Sequence, residues 1–408
     1  MTADPEDDAA GGAPAGPLRP GFDHGTDPDL LADIAGTWDR LREASRTFSS
    51  DAYPWTLWYL TRFDDVDDAF RDHERLSSRQ TNYNTEDSHR WIPAQVDPPD
   101  HTAFRAALNP HFSPGRVAGL EPAMRAVCAG LIDGFAGDGR CELVTQFAQR
   151  FPTAVFLQLV GLPAGDTDTF LAWAQQLLHS PGAGPAAAAA RKAATRTIYG
   201  YLRELIAARR ARPGDDVISR LVSADIDGRP VTDDELLEMA FLLYVAGMDT
   251  VAGTLSYVVA HLAVHPADRR LLAEDPGRIP VAVEEFLRYY SIASPARVVQ
   301  RDHELAGCPV RAGDRVVLAT WPANRDPRRF DQAGDFVIDR TPNRHCAFGA
   351  GIHRCVGAHL ARLELRVALE EWLRVIPDFE IEPGARLTQH VAGAAGLDTL
   401  PLRWPPHG

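Results

Sequence analysis

The 408-residue chain has no run of 18 or more consecutive apolar residues, so no membrane-spanning helix is expected. Its first residues lack the basic segment and apolar core of a signal peptide, and the expectation is a soluble, cytoplasmic protein. Cysteine is sparse. Cys128, Cys141, Cys308, Cys346 and Cys355 are an odd, scattered set of five, which speaks against a disulfide framework and fits a reducing compartment. Positive charge is also short: 42 Lys and Arg face 56 Asp and Glu, for a net charge of −14. That balance argues against a nucleic-acid partner and bears mainly on solubility. No internal repeat and no compositional boundary divides the chain. Residues 1–20, rich in Ala, Gly, Pro and Asp, read as a disordered arm. Residues 21–408 read as one large domain, whose hydrophobic content of 45% is ample for a core.

What the chain does have is a distinctive loop, Phe348 to Gly357. It carries Gly349, Gly351, Gly357 and Cys355 just before a helical pattern from Val356 to Trp372, with Leu360, Leu363 and Val367 on one face. Glycines let a backbone turn tightly and approach something flat and bulky. A thiolate at a helix start is favoured by the helix dipole. A thiolate on a glycine-lined loop suits a soft metal centre, and haem iron with an axial cysteine is one such centre. On these residues alone two other readings stand. Cys355 could be a buried structural thiol, or His345, Cys346, His353 and Cys355 could hold zinc.

A second feature is a long helix. Thr232-Asp233-Asp234-Glu235 fits a capping box, and an apolar pattern then runs about 33 residues to His265-Pro266, long for a globular protein. Its centre, Ala246-Gly247-Met248-Asp249-Thr250, goes against helix preferences. An interior Gly costs about 1 kcal/mol relative to Ala, and a buried Asp needs a partner. Such exceptions are expected at functional sites. Leu243, Gly247, Thr250 and Thr254 fall on one face, where a missing side chain and a hydroxyl leave room for a small ligand beside a proton donor. The alternative is a glycine for close helix packing and a capped Asp.

Asp97-Pro98-Pro99-Asp100-His101 marks a helix start. His101 and Arg105 share a face and suit a carboxylate ligand, although such a pair is usually just a solvated face. Glu285 and Arg288 can pair on another helix. The segments 55–60 and 298–317 read as strand-rich, residues 77–96 lack periodicity, and Ser180 to Ala190 reads as mobile. Gly393 to Gly396 reads as a turn before Leu397 to Trp404.

Phe348-x-x-Gly351-x-His353-x-Cys355-x-Gly357 resembles the haem-binding loop of the cytochrome P450 family. The segments around His101 and Arg105, Ala246 to Thr250, Glu285 to Arg288 and Ala323-Asn324-Arg325-Asp326-Pro327 are similar to family motifs in family order. The resemblance implies a mainly α fold with a small β-rich corner, with haem between the long central helix and the helix after the cysteine loop. It implies haem b held by Cys355 on the iron, His101, Arg105, Arg297 and His353 on the propionates, and Phe348, Gly357, Ala246 and Gly247 beside the ring. Thr250 would stabilise bound oxygen and Asp249 would feed protons from solvent. Glu285 and Arg288 would be a buried pair supporting the loop. Most soluble members complete that pair with an Arg just before the Phe matching Phe336; here that position is Asp335, which leaves the third partner open to Arg340 or another nearby basic residue. Tyr83, Trp91, Leu242, Val245, Ala293 and Ala395 fall where members line the substrate pocket.

The implied activity is monooxygenation: hydroxylation or epoxidation of a hydrophobic terpenoid, steroid, macrolide or other secondary metabolite, using O2. Electrons would come from a ferredoxin and its reductase, with Arg354, Arg362 and Arg366 adding to a basic docking patch on a monomeric protein. Oxidative coupling or dehydration by a haem-thiolate enzyme, and a non-enzymatic haem-thiolate sensor, remain as alternatives. The Asp335-Phe336 departure and the ending Leu400 to Trp404 resemble most the camphor-hydroxylase branch.

Overall fold

The structure, a computed structural model, describes residues 16–81, 90–179, 185–391 and 393–405. Its axis is the helix Asp233–Val264. Thr232 Oγ1 accepts from the Glu235 amide at 3.2 Å, and the Glu235 carboxylate accepts from the Thr232 amide at 3.0 Å, so two of the orphan donors at the helix start are satisfied reciprocally. The helix is unbroken through Ala246–Thr250 and ends before His265-Pro266. Length and composition alone would let it cross a membrane, contrary to the expectation from apolar runs. Here it is a core helix: Leu236, Tyr244, Leu255 and Leu262 are fully buried. The helices Arg150–Leu159 and Pro185–Ala211 and the strand Gly396–Leu397 pack along it.

Two cores meet on this helix. Leu236 to Met248 belong to one, with Phe170, Tyr199 and Leu202. Val251 to Ala263 belong to the other, with Phe286, Val367 and Trp372 from the helices Ile279–Tyr289 and Ala358–Val375. Asp249 and Thr250 lie at the junction, where neither core closes over the helix.

The β-rich corner is a five-stranded sheet ordered Thr47–Ser50, Leu57–Leu60, Arg315–Leu318, Ala296–Val299, Leu76–Ser77. Leu57–Leu60 and Arg315–Leu318 pair in parallel, the other strand pairs of this sheet are antiparallel, and Arg297 sits opposite Val316. The expected arm of residues 1–20 is corrected at its C-terminal end. Residues 1–15 lie outside the described part, but the Ser49 amide donates to Pro17 O at 3.1 Å and the Arg19 amide to Ser49 O at 2.9 Å, so residues 17–19 join the sheet edge. The Ala-rich segment is also corrected: from Pro185 it forms the start of a 27-residue helix, while residues 180–184 lie outside the described part.

The brace of the cysteine loop is complete. Arg288 is fully buried and meets Glu285 in a bidentate pair, both contacts at 2.7 Å. Its other protons go to the backbone carbonyls of Asn324, Ala333 and Asp335 at 2.8–2.9 Å. Asp335 thus contributes its carbonyl, not its side chain. Arg340 Nε supplies the third charge, 3.1 Å from Glu285 Oε2, and Asn343 Nδ2 and the Val337 amide also donate to Glu285.

Glu285→Gln leaves two guanidinium groups without their carboxylate and is expected to cost about 3–5 kcal/mol. Arg340→Ala keeps the bidentate pair and is expected to cost less, about 1–3 kcal/mol. Urea unfolding checks the order; equal losses would show that Arg340 carries as much of the brace as the bidentate pair.

Candidate active site

Cys355 opens the site. Its amide donates to Phe348 O at 2.9 Å, which closes the loop upon itself. Gly349 and Gly351 both adopt φ +66°, and a Cβ on Gly351 would lie 2.6 Å from Phe70 O, so the loop needs glycine there for conformation and for approach to the Phe63–Arg71 helix. A Cβ at Gly357 would meet only Cys355 Sγ, at 3.9 Å, so the protein leaves space beside the sulfur. The sulfur is deep in the molecule yet open to solvent-sized contact, which puts it on a cleft wall rather than in packed core. Burial pushes the thiol pKa up, while the Gly357 amide donating to sulfur and the guanidinium groups of Arg105, Arg354 and Arg362 oppose the rise. Phe348 packs under Arg362, whose guanidinium lies 4.5 Å from the ring centroid.

Four basic side chains converge beside this loop. His101, on the helix Asp100–Leu108, and His353 have ring centroids 4.3 Å apart, and the Nε2 of each is buried with no hydrogen-bond partner. Burial, then the charge of Arg105, push His101 down to about 4 against the pull of Asp97. Burial, then Arg297, His101 and Arg105, push His353 down to about 3. Arg297 is only 7% exposed, and burial lowers it to about 10, opposed by Asp97. Arg105 is lowered by burial as well, with the cysteine sulfur opposing. Mutual repulsion and two orphaned imidazole nitrogens are what a ligand bearing carboxylates would relieve. The two propionates of a haem fit this need, and the cleft wall bearing Cys355 fits its iron. The zinc reading fails on the same geometry: His345 lies 3.2 Å from Glu284, and buried Cys346 is held by Asn324, so neither joins His353 and Cys355.

The central helix presents an open stripe. Ala246 and Thr250 are exposed and Leu242, Val245 and Asp249 half-buried, between fully buried turns. The expected face through Leu243, Gly247 and Thr254 is therefore shifted by one residue: Leu243 and Thr254 are buried. Gly247 is half-buried, and a Cβ there would lie 3.2 Å from the Phe156 ring, so its missing side chain makes room for that ring. Thr250 Oγ1 donates to Ala246 O at 3.0 Å. Asp249 has its partner in His179, 2.9 Å away, a pairing hidden from sequence reading because 70 residues separate the two.

Of the expected pocket residues, Trp91 packs against Phe241 with centroids 6.2 Å apart, and Ala293 is half-buried. Ala395 is corrected: at 2% exposed it does not open on the cleft, and its carbonyl presses on Gly253, where a Cβ would come within 2.5 Å. Tyr83 lies outside the described residues. The basic patch is also reduced. Arg362 pairs with Glu284 at 2.6 Å and Arg366 with Glu121 at 2.6 Å, leaving Arg354 and Arg344 exposed without a carboxylate partner among the described residues.

Residues 279–387 match the family model described as Cytochrome P450. A probable cytochrome P450 127A1 of Sinorhizobium fredii is 38% identical over 350 residues, 85% of this chain and 83% of that protein. The vitamin D(3) 25-hydroxylase of Pseudonocardia autotrophica is 37% identical over 85% of this chain and 84% of its own. The crystal structure of CYP101J2 superposes with a TM-score of 0.87 at 32% identity, covering 99% of this chain and 100% of that one. With this similarity along nearly the whole length, and with a cysteine loop and cation nest suited to haem, the chain belongs to the cytochrome P450 family and is a haem-iron monooxygenase.

Proposed function

We propose that the chain hydroxylates or epoxidises a bulky, mostly apolar secondary metabolite, such as a steroid, macrolide or terpenoid, using O2 and electrons delivered by a ferredoxin and its reductase. The observation that carries the reading is the convergence of Cys355 with the anion-seeking cluster of His101, Arg105, Arg297 and His353 on one cleft. Cys355 would hold the iron of haem b, and the four basic groups its propionates. Bound there, the haem supplies the activation of oxygen, with thiolate electron density favouring O–O cleavage.

The chain's own residues do the rest. Trp91, Leu242, Val245, Ala246 and Ala293 offer apolar surface for the substrate, and the short side chains at Ala246 and Ala293 leave width for a polycyclic or macrocyclic skeleton. Thr250 holds its hydroxyl at the open stripe, and Asp249, at the edge of that stripe, passes protons toward it. The flanking cores keep bulk water from the helix on either side. Arg354 and Arg344 give the cysteine side of the molecule a place for an acidic ferredoxin to dock. The likeness to a vitamin D(3) hydroxylase supports a large apolar substrate class. The protein is proposed to act as a monomer in the cytoplasm.

The reduced protein is expected to give a thiolate-type carbon-monoxide difference band that disappears in Cys355→Ala; a well-folded, haem-supplied protein without that band would sink the assignment. Asp249→Asn is expected to lower product formation about 100-fold, and Thr250→Val to lower the product formed per NADH oxidised, while the substrate-induced Soret shift of both stays as in the wild type. Turnover with a surrogate ferredoxin and reductase measures all three.

Acid should act through the two histidines. In the folded, haem-free protein His101 and His353 stay neutral down to about 4 and about 3, whereas an imidazole in the unfolded chain takes up its proton near pH ~6.5. Below that value protons bind the unfolded chain preferentially, so stability falls as the pH drops through this window. Urea unfolding at pH 7 and pH 5 is expected to show the loss, and His101→Phe with His353→Phe to reduce it, the remainder coming from His261, His24 and His111, which burial lowers as well.

A further inference from the structure

Behind Asp249 a second cluster of ligating groups comes together from three distant segments. His179 follows the helix Thr167–Leu178, Asp249 lies on the central helix, and His390 ends the strand Gln389–His390 of the C-terminal hairpin. His179 Nε2 is 2.9 Å from Asp249 Oδ1, and the His179 and His390 rings meet edge to face with centroids 4.5 Å apart. One ligand atom from each of the three residues lies within 4.8 Å of the other two.

His390 is the telling member. Its Nδ1 lies 2.8 Å from the Asp398 carboxylate. A carboxylate can only accept, so in the neutral imidazole Nδ1 carries the proton and Nε2 the lone pair. That Nε2 is buried and has no hydrogen-bond partner. Gly396 lies beside this edge of the ring, where a Cβ would stand 3.0 Å from the Gly253 Cα and 3.1 Å from Nε2. A carboxylate holding the far nitrogen of an imidazole, with the near nitrogen free, is how metal-binding histidines are oriented. A simple His179–Asp249 ion pair leaves His390 Nε2 stranded, whereas a shared cation accounts for all three.

We propose that His179, Asp249 and His390 bind a divalent transition-metal ion of the zinc class, with Asp398 orienting His390. Two imidazoles and one carboxylate suit zinc, whereas magnesium and calcium take oxygen ligands. Zinc bonds of about 2.0–2.2 Å put the ligand atoms of a tetrahedral site roughly 3.5 Å apart, within the span of 2.9 Å to 4.8 Å found here. On binding, His179 gives up the proton it shares with Asp249 to solvent, and the ion takes its place. The site stands on this geometry alone. Its consequence rests on the function proposed above: an ion on Asp249 withdraws the carboxylate that feeds protons to the cleft, and turnover slows until the metal is chelated.

The test is calorimetric titration of zinc chloride into the tag-free full-length protein. One zinc per chain is expected, with no competition from magnesium. Asp398→Asn is expected to weaken binding by about 10–100-fold, and His179→Ala and His390→Ala by more. His390→Gln, which keeps the bulk of the ring, serves if an alanine variant loses its circular dichroism. No zinc uptake by the wild type, or uptake equal in the wild type and these variants, overturns the site. Stoichiometric zinc that leaves turnover unchanged keeps the site and sinks its link to proton delivery.

Discussion

The buried carboxylate of Glu285 is the constraint on which the site depends. A lone carboxylate in a core is costly, and here it is repaired by two guanidinium groups, a side-chain amide and a backbone amide. Arg288 then reaches onward to the carbonyl of Asn324, and the Asn324 side chain accepts from the Cys346 amide at 2.8 Å. One charge cluster thus ties the helix Ile279–Tyr289 to the segment entering the cysteine loop, so that Cys355 is held by a network rather than by loop stiffness. Such a network is weak evidence for net stability, because desolvation offsets most of the attraction. Its value is geometric, since all its partners must be present together.

The cysteine loop faces the opposite condition. His101, Arg105, Arg297 and His353 are brought together with little to balance them; Arg105 lowers the proton affinity of His101, and Arg297, His101 and Arg105 lower that of His353, while burial lowers both arginines. The fold spends stability to keep a cationic nest beside a cleft, which makes sense only if an anionic ligand completes it. The interrupted core on the central helix obeys the same logic. Two well-packed halves stop at Met248 and Val251, and the polar residues between them stay accessible. The acid there, Asp249, is itself paired with a histidine rather than left to water, and the ring of His390 lies against that histidine.

Much of this was legible in the chain. The capping box at Thr232, the His101–Arg105 spacing and the Glu285–Arg288 pair are local, within four residues, and local geometry follows from helix periodicity. The departure at Asp335 was visible, but Arg340 was only one of the nearby basic residues that could replace the missing arginine, and the structure selects it. The face of the central helix was read one residue off, because periodicity names a stripe but not which stripe the neighbours leave uncovered. Gly247 illustrates the difference: its lack of a side chain was plain, but only the position of Phe156 says that the space is used for packing. Ala395 was placed near the pocket, yet the hairpin lies so close to Gly253 that its side chain is shut away.

By itself, then, the sequence determined the long capped central helix, the cysteine on its glycine loop and the His101–Arg105 and Glu285–Arg288 spacings, because each is written in short-range pattern; the mainly helical fold followed from the family resemblance those motifs carry. Only the tertiary structure decided what sits across from each of them. His179 reaches Asp249 over 70 residues, His390 is brought beside it by the C-terminal hairpin, and Arg362 and Arg366 are neutralised by Glu284 and Glu121 from other helices. Pairings of that kind depend on how helices pack in three dimensions, and no periodicity along one chain encodes which distant carboxylate or imidazole a side chain will meet.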